Sequence, residues 1–442
     1  MRDSRIRPGQ FLEYAVADYY IQDAASLLPL ALADIQPNDH VCDVCAAPGG
    51  KATAVAERLG ADGVLVANEV IRSRLDVLRY SLARTGRANY AVCNLDPDTF
   101  SHRFSACFDK ILLDVPCSGQ TLLGKAKQNE AAFSERQIEH CAARAQRILE
   151  QSAGMLKLGG LLILSTCTFA IEENEDQIAW LLQRYPGVFE PVIDPRLEPW
   201  ASPLAAGCYR LWPHRDSCAG GFAAALRRVG DHPIGSQSQG RGSRSRPHVV
   251  RQAKTPQGVH RPSQRESQKV FVERRRKLEQ SIAAWGDVQS ALHWRGEGCV
   301  VVEPGMQAWL EQHGDEGMMG SQVAIAVGNH IEPAHSLALL LPHLFRPRSG
   351  LELPDSSAMA YLAGEALAMS DIAPEGVDGS VPGAWVASTD GEAASANART
   401  SQWEVATWRG KPLGWLKRSA GRWNNHLPSW ARLRNGSESV VE

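Results

Sequence analysis

Long apolar runs are missing from this sequence. No uninterrupted stretch approaches the roughly 20 residues that a membrane-crossing helix needs, and no apolar signal-peptide core follows Met1-Arg2-Asp3. Neither a membrane partner nor a secretory leader is expected. Cysteine is sparse, ten in 442 residues, which is too few for a disulfide scaffold. The thiols are therefore expected to be reduced, in a cytoplasmic protein. An excess of charge of one sign is also lacking, and a formal net charge of -2 does not by itself announce a nucleic-acid partner. No internal repeat is visible. What remains is ordinary for a globular chain, 44% hydrophobic and 22% charged, with length enough for two or three domains.

The stretch Asp43-Val44-Cys45-Ala46-Ala47-Pro48-Gly49-Gly50-Lys51 organises the first half. An apolar run ends in a Pro-Gly-Gly turn and a helical pattern follows, so a strand, a tight loop and a helix are expected. The glycines let backbone approach a ligand, and the helix start offers unpaired N–H groups. A phosphate, a dinucleotide or a cofactor carboxylate could sit there, and a plain strand-turn-helix would look the same. A Walker-type phosphate loop would need Gly where Cys45 stands and Ser or Thr where Ala52 stands. The dinucleotide spacing G-x-G-x-x-G is absent too. A cofactor carboxylate is the ligand left.

Further buried strands are expected at 63–69, 89–96, 108–114 and 159–167, with helical patterns at 72–85, 135–156 and 172–185 between or after them. A last strand is expected at 220–228. This alternation predicts an α/β fold with a mostly parallel sheet and helices on both faces, in which ligands lie beyond the carboxyl ends of the strands. Cys45, Glu69, Asp96, Asp114, Cys117 and Cys167 all collect at those ends. The Cys42-x-x-Cys45 spacing would suit zinc, but it lies inside a strand pattern and lacks a second pair, so no metal is expected.

From 230 to 267 apolar clusters give way to Gln, Ser, Gly, Pro and Arg, a basic disordered linker whose cations could meet phosphates. A smaller folded unit follows, interrupted at 371–401 by a Gly-, Ala-, Ser- and acid-rich insertion. Its end interleaves Trp403, Trp408, Trp415, Trp423 and Trp430 with Arg and Lys, a pattern that fits either an RNA-touching surface or buried tryptophans beside solvated cations.

These motifs, in this order, resemble the Sun family of RNA cytosine-C5 methyltransferases over about residues 10 to 229. The resemblance rests on the 43–51 loop, Asn68-Glu69, Asp96, Asp114-Val115-Pro116-Cys117-Ser118-Gly119 and Thr166-Cys167. The segments Tyr361-Leu362-Ala363-Gly364-Glu365 and Gly414-Trp415-Leu416-Lys417 are similar to the PUA-like tail of the RsmF-like bacterial branch. The resemblance implies a Rossmann-like S-adenosylmethionine-binding domain over 1–229, the linker over 230–267 and an α+β PUA-like RNA-binding domain over 268–442. It implies that Cys45, Ala46, Ala47, Pro48, Gly49, Gly50 and Lys51 hold the methionine moiety, Glu69 the ribose, and Asp96 the adenine. Asp114 would stand between cofactor and base, Cys167 would be the nucleophile, and Cys117 would assist release. The substrate implied is RNA, ribosomal rather than transfer RNA. A tRNA methyltransferase and a non-catalytic RNA-binding or ribosome assembly factor are the alternatives. Ala52, where the family often has Thr, and Gln120-Thr121-Leu122-Leu123, where many members continue with Gly and a basic segment, depart from the pattern.

Overall fold

A computed structural model describes residues 7–125, 130–231, 264–295, 298–327, 330–372 and 402–433. Strands β1 (His40–Asp43), β2 (Val64–Asn68), β3 (Tyr90–Cys93), β4 (Phe108–Asp114), β5 (Leu156–Thr166), β6 (Phe189–Pro191), β7 (Cys208–Leu211) and β8 (Gly221–Arg228) form one sheet. Strands β1 to β5 pair in parallel in the order β3-β2-β1-β4-β5. Beyond them β8 runs antiparallel to β5, and its far edge is shared by β6 and β7. The central strands are buried on both faces, as their near-continuous Val, Leu, Ile and Ala runs require.

Helices α1 (Leu12–Ala15), α2 (Leu28–Ala33), α3 (Gly50–Arg58), α4 (Leu75–Ala83), α5 (Pro97–Arg103), α6 (Glu135–Ala153), α7 (Glu175–Arg184) and α8 (Pro213–Asp216) connect the strands. One face of the sheet packs Leu30, Val55, Leu59, Leu75 and Leu78 from α2, α3 and α4. The other packs Phe100, Ile148, Leu149, Ile178 and Leu181 from α5, α6 and α7. Helix α6 begins where Ser134 accepts the Gln137 N–H, a side-chain cap that fixes its start.

The second half does not stand apart from this sheet. Helix α9 (Gln264–Trp285) leads into β9 (Gly286–Val288), β10 (Ala291–Arg295), β11 (Gly298–Val302), α10 (Pro304–His313) and β12 (Met318–Met319). Strand β12 pairs antiparallel with β3 and so becomes the outer strand of the first sheet. Trp309 of α10 packs on Phe104 and Phe108, with ring centroids 5.2 and 6.2 Å away. Buried Glu303 accepts from Ala88 N and pairs with Arg87, each at 2.8 Å. A five-stranded sheet built from Gly350–Glu352, Trp403–Trp408, Lys411–Ser419, Arg422–Asn425 and Leu367–Ala368 completes the described chain. Its core includes Leu12 and Val16 of the N-terminal segment. The basic 230–267 segment and the 371–401 insertion lie almost wholly outside the described residues.

The tail tryptophans are decided by burial. Trp403, Trp408, Trp415 and Trp423 are core residues, and only Trp430 is half exposed. Arg409, Lys417 and Arg418 lie over the rings of Trp408, Trp403 and Trp423. The aromatic and cationic alternation is thus a buried ring with a solvated cation laid upon it.

Candidate active site

The parallel register places Asp114, the last residue of β4, opposite Ser165 of β5. Both chains then leave the sheet at the same level, one carrying Cys117 and the other Cys167. Their sulfurs are 3.3 Å apart, and the Cys167 N–H also points at the Cys117 sulfur at 3.3 Å. The Cys117 thiol hydrogen-bonds the Cys167 sulfur, which pulls the Cys167 thiol below its ordinary pKa against the opposing effect of burial. The same hydrogen bond, with burial, pushes Cys117 well up. One thiol is prepared to ionise and its neighbour to keep its proton.

Asp114 accepts from the Ser165 hydroxyl at 2.7 Å and pairs with Lys51 Nζ at 2.7 Å. Burial opposes the charge on Lys51, but Asp114 outweighs it and the net shift is upward. Lys51 is thus a fixed cation. It joins the 43–51 loop to the thiol-bearing strands.

The loop is shaped by a cis Ala47-Pro48 bond and by Gly49 at φ +116°, a conformation that side chains rarely adopt. A Cβ on Gly49 would come within 2.6 Å of Ser81 Cβ. Cys45, Ala46, Ala47, Pro48, Gly50, Lys51 and Asp114 line a cavity of about 1770 Å³ that Tyr20, Gln22 and Trp430 also line. Glu69, Asp96, Cys117 and Cys167 are not part of that lining.

Glu69 follows β2 directly. Its carboxylate accepts the Ile71 N–H at 2.8 Å and pairs with Arg74 at 3.1 Å. Arg74 also donates to the Ala47 carbonyl at 2.5 Å, so Glu69 is braced against the loop. Asn68, fully buried, both donates to Leu95 O and accepts from Leu95 N at 3.0 Å, which holds the chain leaving β3. Strand β3 stops at Cys93, three residues short of Asp96. Asp96 instead caps α5, accepting from Thr99 N at 3.0 Å and from the Thr99 hydroxyl at 2.7 Å; the Thr99 backbone hydrogen bond leads in holding its pKa down.

Two residues that the sequence did not single out complete the site. Asp43 is 1% exposed, lines the cavity, and its Oδ1 has no hydrogen-bond partner. Burial pushes its pKa up to about 7, although Lys51 opposes this. The available signal was an acid closing an otherwise apolar strand. Glu173, read from sequence as an early helix acid, lies before α7, because Asn174 has non-helical backbone angles. It turns back toward the thiol loops. Among the described residues, no group of three or more His, Cys, Asp or Glu is placed to hold a metal ion, and no helix is long and apolar enough to cross a membrane.

Residues 30–227 match the family model described as 16S rRNA methyltransferase RsmB/F, and residues 388–433 match that of the methyltransferase RsmF PUA domain. Over these residues the chain is similar to the RsmB/F methyltransferases. Its first sheet is therefore a Rossmann-like methyltransferase fold, followed by a C-terminal PUA domain. Among its relatives is the ribosomal RNA small subunit methyltransferase F of Klebsiella pneumoniae (strain 342), 36% identical over 231 residues, or 51% of this chain and 48% of the relative. The protein of the same name from Escherichia coli O157:H7 is 35% identical over 225 residues, 50% of this chain and 47% of that one. The chain thus spans about half the length of the curated relatives it matches. The crystal structure of NSun6 from Pyrococcus horikoshii with SFG aligns over 51% of this chain and 57% of that one, at 25% identity and a TM-score of 0.47.

Proposed function

We propose that this chain methylates carbon 5 of cytosine in small-subunit ribosomal RNA, with S-adenosylmethionine as the donor. The observation that carries the proposal is the pair of contacting thiols, one biased toward thiolate, beside the Lys51–Asp114 ion pair. The family match and the names of the relatives point the same way.

The residues fit the cofactor. Buried acceptors without partners, Asp43 Oδ1 and Gln22 Oε1, line the cavity and suit an ammonium or hydroxyl donor. The start of α3 suits a carboxylate. Residues 45–51 with Asp43 would hold the amino-acid end, Glu69 the ribose and Asp96 the adenine. S-adenosylmethionine supplies an electrophilic methyl group when bound.

Cytosine C5 is a weak nucleophile, which makes covalent activation necessary. The Cys167 thiolate adds to C6 and raises electron density at C5. Asp114, held by Ser165 and Lys51, accepts from the N4 amino group of the base and from N3 once N3 is protonated in the adduct. Once C5 is methylated, the C5 proton is lost to a base and Cys167 leaves C6, an elimination that Cys117 assists. The base must be unstacked to arrive there. Phe133, Phe169, Tyr20 and Trp430 line the cavity and offer faces on which it and its neighbours can stack.

The division into a methyltransferase unit over 1–229, a linker over 230–267 and an RNA-binding unit over 268–442 belongs to the same proposal, as does a cytoplasmic location. The test is methyl transfer from labelled cofactor to ribosomal RNA, with bisulfite mapping of the product. Cys167→Ala is expected to abolish transfer and Cys117→Ala to accumulate a protein–RNA adduct. Full activity of Cys167→Ala would overturn the proposal, and modified tRNA with unmodified ribosomal RNA would move the substrate.

A further inference from the structure

Beyond Asp114, backbone bonds from Val115 N–H to Ser165 O at 3.2 Å and from Thr121 N–H to Cys167 O at 3.1 Å tie the two loops on either side of Cys117, and the two sulfurs sit at contact distance. Side chains add a second tie. Ser118 and Thr168 each stand one residue beyond a cysteine, and both are fully buried. Their hydroxyls are 2.8 Å apart, and the buried carboxylate of Glu173 packs against both. Its Oε2 accepts the Ser118 N–H at 2.8 Å, while its Oε1 accepts the Ser118 hydroxyl at 2.5 Å and the Thr168 hydroxyl at 3.2 Å. The next residue secures the Cys167 side alone. Asn174 accepts the Thr166 hydroxyl at 2.6 Å and donates to the Thr168 carbonyl at 3.1 Å, gripping the chain on both sides of Cys167.

We infer that Glu173 is a positioning residue, whose carboxylate clamps the Cys117 and Cys167 loops together and so sets the sulfur-to-sulfur contact. A carboxylate only accepts, and burying one is unfavourable unless donors surround it. Here donors come from both thiol loops, so the desolvated charge gains its full set of donors when the loops are together. Glu173 never reaches the sulfurs with a hydrogen bond. It acts through Ser118 and Thr168. Its negative charge also adds, behind the Cys167 hydrogen bond and burial, to the upward shift that keeps Cys117 protonated.

The geometric part of this inference is independent of the reaction; its catalytic consequence rests on the roles proposed above for Cys167 and Cys117. The experiment separates them. The full-length protein is equilibrated in mixtures of reduced and oxidised glutathione, quenched, and the Cys117–Cys167 disulfide is quantified by peptide mapping. In this exchange two protein thiols are oxidised, one glutathione disulfide is reduced, and two glutathione thiols result. The equilibrium constant gives the effective concentration of one thiol at the other.

Glu173→Leu, which fills the space without acceptors, is expected to lower that concentration about tenfold, the scale of a lost charge-assisted contact. Glu173→Gln should recover most of it, because both hydroxyls can turn toward an amide. Glu303→Gln disturbs a buried carboxylate elsewhere and should leave it unchanged. If Glu173→Leu does not fold, Thr168→Val, which cuts the clamp on one side, should show a loss of about threefold. Wild-type effective concentration in the folded Glu173 or Thr168 variant would overturn the inference. A lowered concentration with slower release of the RNA adduct supports both readings. A lowered concentration with unaltered methyl transfer supports the clamp and counts against the thiol chemistry.

Discussion

Asp43 closes a strand whose other buried side chains are apolar or a thiol, and it keeps an oxygen free of hydrogen bonds beside the cavity. Its folded pKa of about 7 lies above the usual aspartate range, so the proton is lost from the unfolded chain first. Stability linked to this group is therefore present at acid pH and lost as pH rises toward 7. The stability gain of Asp43→Asn over the wild type should grow from about pH 4 and level off above about pH 7, at about 4 kcal/mol. Chemical denaturation at several pH values measures it. The same substitution should weaken cofactor binding by about tenfold in calorimetry, since one hydrogen bond to a charged group is lost. At this scale the sequence was partly legible. Cys117 and Cys167 could be paired because each directly follows a strand and the parallel alternation makes those strands neighbours. Asp43 and Glu173 could not be assigned, because what defines them is burial and partners contributed by segments far along the chain.

At the level of elements, helix starts carry much of the site. Asp96 both caps α5 and is the residue proposed for adenine, and two substitutions separate these duties. Asp96→Ala should cost about 1 kcal/mol of stability through the lost cap. Asp96→Asn should keep the cap and show only the loss in cofactor affinity. Gly49→Ala is expected to cost about 1–3 kcal/mol from its backbone conformation alone. The overlap with Ser81 adds to this, so thermal unfolding and cofactor titration should both shift. The alternation of strands and helices was readable from periodicity, since β1 to β5 are buried on both faces and α6 keeps an apolar stripe. The ends of elements were not. Pro97 at the first turn and the Asp96 cap begin a helix where the sequence suggested that a strand was finishing. The Trp-rich tail was ambiguous for a related reason, because a ring that supports a cation in solvent and a ring that sits in a core leave the same letters.

For the molecule as a whole, the second half contributes to the first. Trp309, Leu310 and Met318 belong to the same buried cluster as Phe104, Ile148 and Leu226. Removing residues from 288 onward would expose that cluster, so the remaining chain should be destabilised and lose cofactor affinity together with RNA affinity. A single change at the junction makes the same point. Trp309→Ala should lower stability by about 3–5 kcal/mol, read as a lowered unfolding midpoint. Sequence could divide the chain by composition at 230 but could not show this, because a strand of two residues, Met318 and Met319, carries no signal of its own and is recruited by the open edge of β3.

That recruitment sets an order in time. During synthesis β3 emerges long before its outer neighbour, and at ordinary elongation rates the roughly 225 residues between them take roughly 10–45 s to make. For that interval the growing chain presents the unpaired edge of a strand buried on both faces in the finished protein. Such an edge invites pairing with other chains. The nascent domain therefore keeps one strand edge without its final neighbour until Met319 arrives.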